Sequence, residues 1–362
     1  MPSEEEEDES YQSKEIQTKN NREKRMKIHT ILYYIAFAIT SVLLASCVKE
    51  DEMPDTTEGN FEALWKIMDE HYCFFPEKKE QLGVDWNSVH EKYRKRVTQP
   101  LAAEQLFEVL GEMLGELRDG HVNMSSSFDL ARNWSWKEDY PTNLSDTLLR
   151  KYLGTDYRIA STMQYRILDD NIGYIRCSSF SSPFGDGNID EILYYLAPCN
   201  GLIIDIRSNG GGLMTSAEKL ARRFAKEKTL VGYIRHKTGK GHEDFSEMHE
   251  QWIEPTTRMT WEKGVVVLTN RGVYSAANEF TKYMRRLGAT IVGDKTGGGA
   301  GMPFSSELPN GWAIRFSACP TYDSERRCIE DGISPDHSVS LTDEDTSNGI
   351  DTIIEYARGL MQ

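Results

Sequence analysis

Two stretches decide the fold: GLIIDIRSNGGG, residues 201–212, and GVVVLTNRGVYSAANEF, residues 264–280. Each begins with a short apolar run rich in β-branched residues, which is typical of a strand buried on both faces. The first run ends in three glycines, whose backbone N–H groups can approach a ligand closely. The second ends in Ser275, directly before a helix-forming stretch. A hydroxyl at a helix start, beside a glycine loop, is how a serine nucleophile and its oxyanion hole are built.

Strand and helix patterns alternate from residue 171 to the end of the chain. Alternation of this kind predicts an α/β domain. The expected strands are 172–177, 202–206, 230–235, 265–269, 290–292 and 312–317, and the expected helices are 189–196, 215–225, 276–286 and 350–360.

Apolar residues at helical spacing between residues 61 and 122 predict a small helical domain in front of this core. One of its helices is expected around Trp86, Val89 and Tyr93, with Asp85 as its N-cap. Residues 123–166 are weakly patterned and predict either a loop over the active site or short edge strands.

The whole chain is predicted to contain six regions. They are an N-terminal extension with a signal peptide (1–47), a tether (48–60), the helical domain (61–122), the loop or edge region (123–166), the core (167–345) and a C-terminal helix (346–362).

The N-terminal region has the pattern of a secretory signal. An apolar and small-residue run, 31–45, follows several basic residues and is too short for a comfortable membrane span. It leads into Leu44-Ala-Ser-Cys47, which resembles the lipobox of bacterial lipoproteins. That resemblance implies a lipid on Cys47 and a bacterial cell envelope location, in the outer membrane, facing the periplasm or the surface. The alternative is an ordinary secretory signal with a coincidental cysteine.

Composition argues against nucleic-acid and metal binding and leaves one possible disulfide open. The chain has 362 residues, 42 of them basic and 57 acidic, and the resulting net charge of −15 argues against a nucleic-acid partner. No cysteine or histidine spacing suggests a metal site, and no cofactor is expected. Cys319 and Cys328 flank a turn-like segment and could form a disulfide in an oxidising compartment.

Ser275 and the glycines each have a structural alternative. A serine before a helix is often an N-cap, but capping alone does not explain Tyr-Ser-Ala-Ala between a buried strand and a helix, where small residues let a substrate backbone come close and the N–H of Ala276 can face an oxyanion. The glycines could form only a flexible turn. Three exceed what a tight turn requires, so we expect Gly210 and Gly211 to contribute N–H donors to the oxyanion hole.

Four segments in order resemble the C-terminal processing (tail-specific) serine peptidases. They are Asp205-Ile-Arg-Ser-Asn-Gly-Gly-Gly, Ser275-Ala-Ala-Asn-Glu-Phe, Gly332-Ile-Ser-Pro-Asp336 and Leu117-Arg-Asp-Gly-His121-Val. The resemblance covers about residues 61–340 and implies a crotonase-like β/α spiral core. It also implies hydrolysis of peptide bonds in peptide or unfolded protein substrates. Residues 123–166 are too short for the peptide-binding PDZ module that many relatives carry there.

The chain departs from that family at the catalytic base. Its best-known members use a Ser–Lys dyad, but Gly299 occupies the lysine's place here, and Lys295 lies four residues too early. The tricorn-like branch uses histidine and a carboxylate instead. Carried across by resemblance, the base is His121 and the orienting carboxylate is Glu330, although the adjacent Asp331 could serve in its place.

The sequence therefore predicts a lipid-anchored serine endopeptidase, with three alternatives open. The same fold could form a non-catalytic protein that binds lipophiles or peptides, as in related retinoid-binding domains. An acyl-CoA enzyme of the crotonase type would share the core and not need Ser275. An exopeptidase or oligopeptidase mode is also compatible, because no substrate-reading module is evident.

Overall fold

The computed structural model describes residues 53–361. The predicted signal peptide and Cys47 lie outside the described residues. Among those that are described, every helix is too short or too polar to cross a membrane.

The described chain forms eleven α-helices, one short 3₁₀ turn and thirteen strands. The helices are α1 (Thr57–His71), α2 (Phe75–Leu82), α3 (Trp86–Arg94), α4 (Ala103–Gly115), α5 (Ser135–Glu138), α6 (Asp146–Leu153), α7 (Asp186–Leu196), α8 (Met214–Ala221), α9 (Ala276–Arg286), α10 (Asp343–Ser347) and α11 (Thr352–Gly359), and the 3₁₀ turn is Arg222–Phe224. The strands are β1 (Asn123–Ser125), β2 (Leu130–Arg132), β3 (Arg158–Ala160), β4 (Met163–Ile167), β5 (Ile172–Cys177), β6 (Gly201–Asp205), β7 (Thr229–Ile234), β8 (His249–Ile253), β9 (Val265–Thr269), β10 (Thr290–Gly293), β11 (Gly301–Glu307), β12 (Ala313–Tyr322) and β13 (His337–Ser338).

The main sheet has the order β13-β10-β9-β6-β5-β4-β3. Its first five strands pair in parallel, and β4 and β3 continue it antiparallel. One face is buried against α7, α8 and α9, and the other against α6 and α11. Because both faces are covered, β5 and β6 are buried along their whole length, which explains their continuous apolar runs.

A second, antiparallel sheet connects the core to the N-terminal helices. Its order is β2-β1-β12-β7-β8, and β11 pairs with β12. Helices α1 to α4 share one hydrophobic core with β1 and β12, in which Phe61, Leu110 and Ile314 are fully buried. The helical segment is thereby fixed against the second sheet, whose strand β1 follows it directly in the chain.

The α/β fold class is confirmed, and several predicted boundaries agree with the structure. Strands β5 and β9 and helix α9 have the predicted bounds. Asp85 caps α3 by accepting a hydrogen bond from Ser88 N–H.

Other predictions of local structure need correction. The tether was expected to run to residue 60, but α1 already begins at Thr57 because Thr56 caps it. Residues 123–166 were expected to form a loop or short edge strands; they contain β2 and β3, which are sheet edges, but also β1 and most of β4, which lie one strand further in. Strands β8 and β11 were not predicted.

The sequence left open whether Cys319 and Cys328 form a disulfide, and the structure has none there, because all five cysteines within residues 53–361 are free thiols. Cys319 Sγ lies 3.4 Å from His236 Nδ1, and Cys328 forms an isolated bridge with Tyr322 on the other side of the turn.

Candidate active site

Ser275 lies at a sharp turn between the central strand β9 and helix α9. Its backbone has φ 57° and ψ −124°, a conformation that costs a non-glycine residue about 1–3 kcal/mol. Hydrogen bonds from neighbouring loops hold it there: Ser275 N–H donates to Gly298 O at 2.9 Å, and Tyr274 N–H donates to Asn209 O at 3.0 Å. The side chain caps no helical N–H, so the N-cap alternative does not describe it.

His121 meets Ser275 from the helical side of the molecule. Its Nε2 lies 3.0 Å from Ser275 Oγ, and its ring packs edge-on against Tyr274 with the centroids 4.9 Å apart. The imidazole is only 4% exposed. The two residues are 154 positions apart in sequence and are joined only through the tertiary fold.

The buried setting of His121 decides its charge. Burial lowers the pKa of His121 to about 4, while the Asp119 carboxylate acts in the opposite direction and Arg315 and Arg132 lower it further. The imidazole is therefore neutral at pH 7 and can accept a proton. The Gly301 backbone favours the protonated ring, yet Nδ1 is buried with no described group in hydrogen-bond geometry.

Asp119 is the carboxylate that organises this turn, although no role was predicted for it from the sequence. It is buried and receives hydrogen bonds through both oxygens. Oδ1 accepts from His121 N–H at 2.7 Å and from Tyr274 Oη at 3.4 Å, and Oδ2 accepts from Tyr72 Oη at 3.1 Å and Ser317 Oγ at 2.8 Å. Its position two residues before His121, in the Leu-x-Asp-x-His segment, was the available signal.

Glu330 lies in the same buried region but does not contact the imidazole. Its Oε2 accepts a hydrogen bond from Ala300 N–H at 2.8 Å. Burial, and next the nearby Asp119 charge, raise its pKa well above the usual range, although Lys78 acts in the opposite direction. No hydrogen bond joins Glu330 to His121 among the described residues, so the expected orienting contact is not made. Asp331 does not replace it, since its carboxylate accepts from Gln81 instead.

Two of the three expected oxyanion donors are free in the described structure. The N–H groups of Gly210 and Ala276 have no hydrogen-bond partner among residues 53–361. The N–H of Gly211 is already engaged, because it donates to Asn209 Oδ1 at 2.9 Å. Gly211 matters for space instead: a Cβ there would lie 2.8 Å from both Ala276 N and Ser275 Cβ.

The chain is similar to known peptidases. Residues 171–339 match the description "Peptidase family S41", and residues 53–115 match "Tricorn protease C1 domain". A solved structure of a putative peptidase from Parabacteroides merdae is 49% identical, covers 85% of this chain and 97% of that one, and superposes with a TM-score of 0.81. The chain belongs to peptidase family S41. This membership indicates the enzyme class of serine-type peptidases.

Other proteins are similar to this S41 chain at lower identity or over a smaller part of their length. A carboxyl-terminal-processing protease from Synechocystis sp. is 30% identical over 48% of this chain, and the match spans 40% of the relative's own length. Mature CPAF superposes with a TM-score of 0.65 at 13% identity, covering 84% of this chain and 96% of that one. At that identity the likeness shows the fold alone.

The S41 chain has no room for a lysine at the position of the Ser–Lys dyad. Gly299 has φ 79°, and a Cβ there would lie 2.5 Å from Tyr274 Cζ. The tyrosine ring thus occupies the space that the Cβ of any side chain at residue 299 would need. Lys295 forms no described hydrogen bond with Ser275, and Ser275 is not among the residues that line the cavity of Lys295, Lys78 and Asp331.

Proposed function

We propose that this chain hydrolyses peptide bonds, with Ser275 as the nucleophile and His121 as the general base. The observation that carries the proposal is the 3.0 Å separation between His121 Nε2 and Ser275 Oγ. A base must lie within hydrogen-bond reach of the proton it removes. The imidazole satisfies this condition, and burial keeps it in the neutral form that can accept a proton.

In the acylation step, His121 Nε2 accepts the hydroxyl proton as Ser275 Oγ attacks the substrate carbonyl. The imidazolium then donates that proton to the leaving amine, and a covalent acyl-enzyme remains. Water activated by the same imidazole releases the acid product. Forming an imidazolium in a buried site is costly, so the negative charge of Asp119 and of the developing oxyanion must offset the cost.

The oxyanion is stabilised by backbone donors. The free N–H groups of Ala276, at the start of α9, and Gly210, in the glycine loop, are the donors available for it. Because backbone donors on fixed elements need no reorganisation during the reaction, each contributes about 3 kcal/mol of transition-state stabilisation.

The test compares Ser275→Ala with a matched control, Ser216→Ala. Ser216 is also buried near the start of a helix, but no described hydrogen bond links it to His121. We expect Ser275→Ala to lose at least about 10⁴-fold in peptide hydrolysis and all labelling by a fluorophosphonate, whereas Ser216→Ala retains both. Undiminished hydrolysis by Ser275→Ala contradicts the mechanism.

The same experiment separates the enzyme from a binding protein on the same fold. A carrier of lipophiles or peptides predicts neither hydrolysis nor rapid fluorophosphonate labelling by the wild-type chain. A crotonase-type enzyme predicts binding of coenzyme A. The proximity of a neutral imidazole to a serine hydroxyl favours the peptidase.

We also propose that the protein is anchored at the cell envelope through a lipid on Cys47. The support is the apolar run followed by Leu44-Ala-Ser-Cys47. In a bacterial expression host, metabolic labelling with an alkyne fatty acid is expected to mark the wild-type chain but not Cys47→Ser. Equal labelling of the two proteins would refute the anchor.

A further inference from the structure

The indole of Trp136 is stacked on the tyrosine that precedes the nucleophile. Its ring centre lies 4.1 Å from that of Tyr274, with an angle of 27° between the two planes. The Tyr274 ring in turn packs edge-on against His121, with the centroids 4.9 Å apart. A row of three rings therefore leads from Trp136 to the imidazole, whose Nε2 lies 3.0 Å from Ser275 Oγ.

Glycines leave the space in which the two stacked rings lie. A Cβ at Gly120 would lie 2.5 Å from Trp136 Nε1, and a Cβ at Gly297 would lie 2.4 Å from Trp136 Cε3. A Cβ at Gly299 would meet the Tyr274 ring in the same way. These separations are well below the contact distance of non-bonded heavy atoms, so the observed stack requires the absence of a side chain at all three positions.

Trp136 is carried by a strap, residues 134–142, that is fastened to the loop between β9 and the nucleophile. Arg271 in that loop donates two hydrogen bonds to Trp136 O, from Nε at 3.0 Å and from Nη2 at 2.8 Å. The neighbouring Asn270 donates from Nδ2 to Thr142 O at 2.6 Å. The strap is thus held through its backbone at two points, and the indole is fixed relative to the nucleophile loop.

The indole contributes the face of its ring to this arrangement. Trp136 Nε1 is buried and has no hydrogen-bond partner among the described residues. A buried tryptophan N–H usually finds a partner, so the stacking surface explains the position of the ring better than its polar group does. The tyrosine beneath it donates from Oη to Asp119, the carboxylate that binds the backbone N–H of His121. Movement of Tyr274 would therefore disturb the imidazole through two contacts.

We propose that Trp136 is a positioning residue for the hydrolytic reaction: stacked on Tyr274, it keeps the His121 imidazole within reach of Ser275. The inference rests on the proposed function and adds to it a residue from outside the four motifs. No hydrogen bond of the indole reaches Ser275 or His121 within residues 53–361. The tryptophan therefore acts through the tyrosine and not on the reacting atoms.

The first test compares Trp136→Ala with Trp134→Ala, a matched control on the same strap. Trp134 packs against the cationic side chains of Arg132 and Lys137. We expect Trp136→Ala to lower kcat about 10²-fold and to change KM less than about threefold, because a small displacement of a catalytic group is that costly. Trp134→Ala should keep kcat within about threefold of wild type. Equal kcat values for the two variants, or a raised KM with an unchanged kcat in Trp136→Ala, would overturn the proposal.

A second comparison separates the flat ring from the volume that it fills. We expect Trp136→Phe to retain at least about a third of the wild-type kcat, because a phenyl ring still stacks on Tyr274 and the lost N–H has no partner. Trp136→Leu keeps an apolar side chain without a ring face and should be about 10²-fold slower than wild type. Thermal unfolding shows that both variants are folded in the assay, and the pair carries the test even if Trp136→Ala does not fold. If leucine restores kcat as well as phenylalanine does, the stacking role is wrong.

The titration of His121 tests the proposal without peptide hydrolysis. Burial lowers the pKa of His121 to about 4, Asp119 acts against this, and Arg315 and Arg132 lower it further. None of these charged groups is changed in Trp136→Ala. A loosened imidazole gains contact with water, so its midpoint should rise by at least about one pH unit, toward the ordinary value. An unchanged midpoint would contradict the positioning role.

NMR of ¹³C-labelled histidine measures this midpoint, and the signal missing from His121→Gln identifies the residue. Trp136→Phe and Trp134→Ala should titrate like the wild-type chain. If the wild-type chain cleaves no peptide but the midpoint shifts only in Trp136→Ala, hydrolysis fails and the tryptophan still positions the imidazole. If it cleaves peptides and Trp136→Ala matches Trp134→Ala in kcat and midpoint, the positioning role fails and the peptidase stands.

Discussion

The two halves of the candidate catalytic pair are held by different kinds of structure. Ser275 is fixed by the backbone: a buried parallel strand leads into it, helix α9 follows it, and its N–H bonds to a neighbouring loop. His121 is fixed by side chains, because Asp119 binds its backbone and Tyr72, Tyr274 and Ser317 in turn bind Asp119. The strand and helix that flank the nucleophile therefore follow from local sequence pattern, whereas the base depends on side chains gathered from across the chain.

The strongest test of this comparison removes the base and leaves the nucleophile. We expect His121→Gln to lower kcat/KM by about 10⁴-fold, because within residues 53–361 His121 is the only base that forms a hydrogen bond with Ser275 Oγ. Steady-state kinetics with a fluorogenic peptide would measure it. Combining this change with Ser275→Ala should lower the rate no further than Ser275→Ala alone. Additive losses would show that the two residues do not act as one unit.

A second test adds a side chain at Gly299, the position that a lysine occupies in the Ser–Lys dyad. We expect Gly299→Ala to lower the free energy of unfolding by about 2–4 kcal/mol, because the residue has a positive φ and its Cβ would meet the Tyr274 ring. Urea denaturation measures this. The control is Gly115→Ala in α4, where a Cβ meets nothing within 4 Å and stability should not fall. Equal stability of Gly299→Ala and wild type would refute the packing argument.

A third test compares two buried carboxylates, Asp119 and Glu330, to identify the one that positions His121. Asp119→Asn should lower kcat/KM by about 10²-fold, since it loosens the turn that positions His121 and removes the charge that raises the pKa of that residue. Glu330→Gln should cost less than about threefold, because a glutamine oxygen can still accept from Ala300 N–H. A larger loss for Glu330→Gln than for Asp119→Asn would reverse the assignment of the positioning carboxylate.

The strand and helix that flank Ser275 were also easier to predict from the sequence than the exposed strands β8 and β11. Strand β9 and helix α9 were predicted at their observed bounds because a doubly buried strand and an amphipathic helix leave local apolar patterns. Strand β11 leaves none, since it is a largely exposed edge strand with Pro303 at an irregularity, and its place is set by pairing with distant β12. Strand β8 is similarly polar and exposed.

In the candidate site, the motif residues were likewise easier to predict than their hydrogen-bond partners. His121 and Ser275 were found from motifs, and the structure brings them together. The misassigned details, Glu330 as the orienting group and Gly211 as an oxyanion donor, depend on which hydrogen bonds each group already makes. Asn209 takes the Gly211 N–H, and Ala300 engages Glu330. Such partners follow from tertiary packing, and spacing in the chain does not reveal them.

The pH dependence of Ser275 labelling by a fluorophosphonate tests the central claim most directly. Burial lowers the pKa of His121 to about 4, so the imidazole is a free base above that pH and becomes protonated below it. The second-order labelling rate of the wild-type chain should therefore be constant from about pH 6 to 8 and fall with a midpoint near pH 4. His121→Gln should be labelled slowly across this range. A rate that keeps rising toward pH 10, as a lysine base would give, or that is unchanged in His121→Gln, would contradict a buried imidazole as the activator of Ser275.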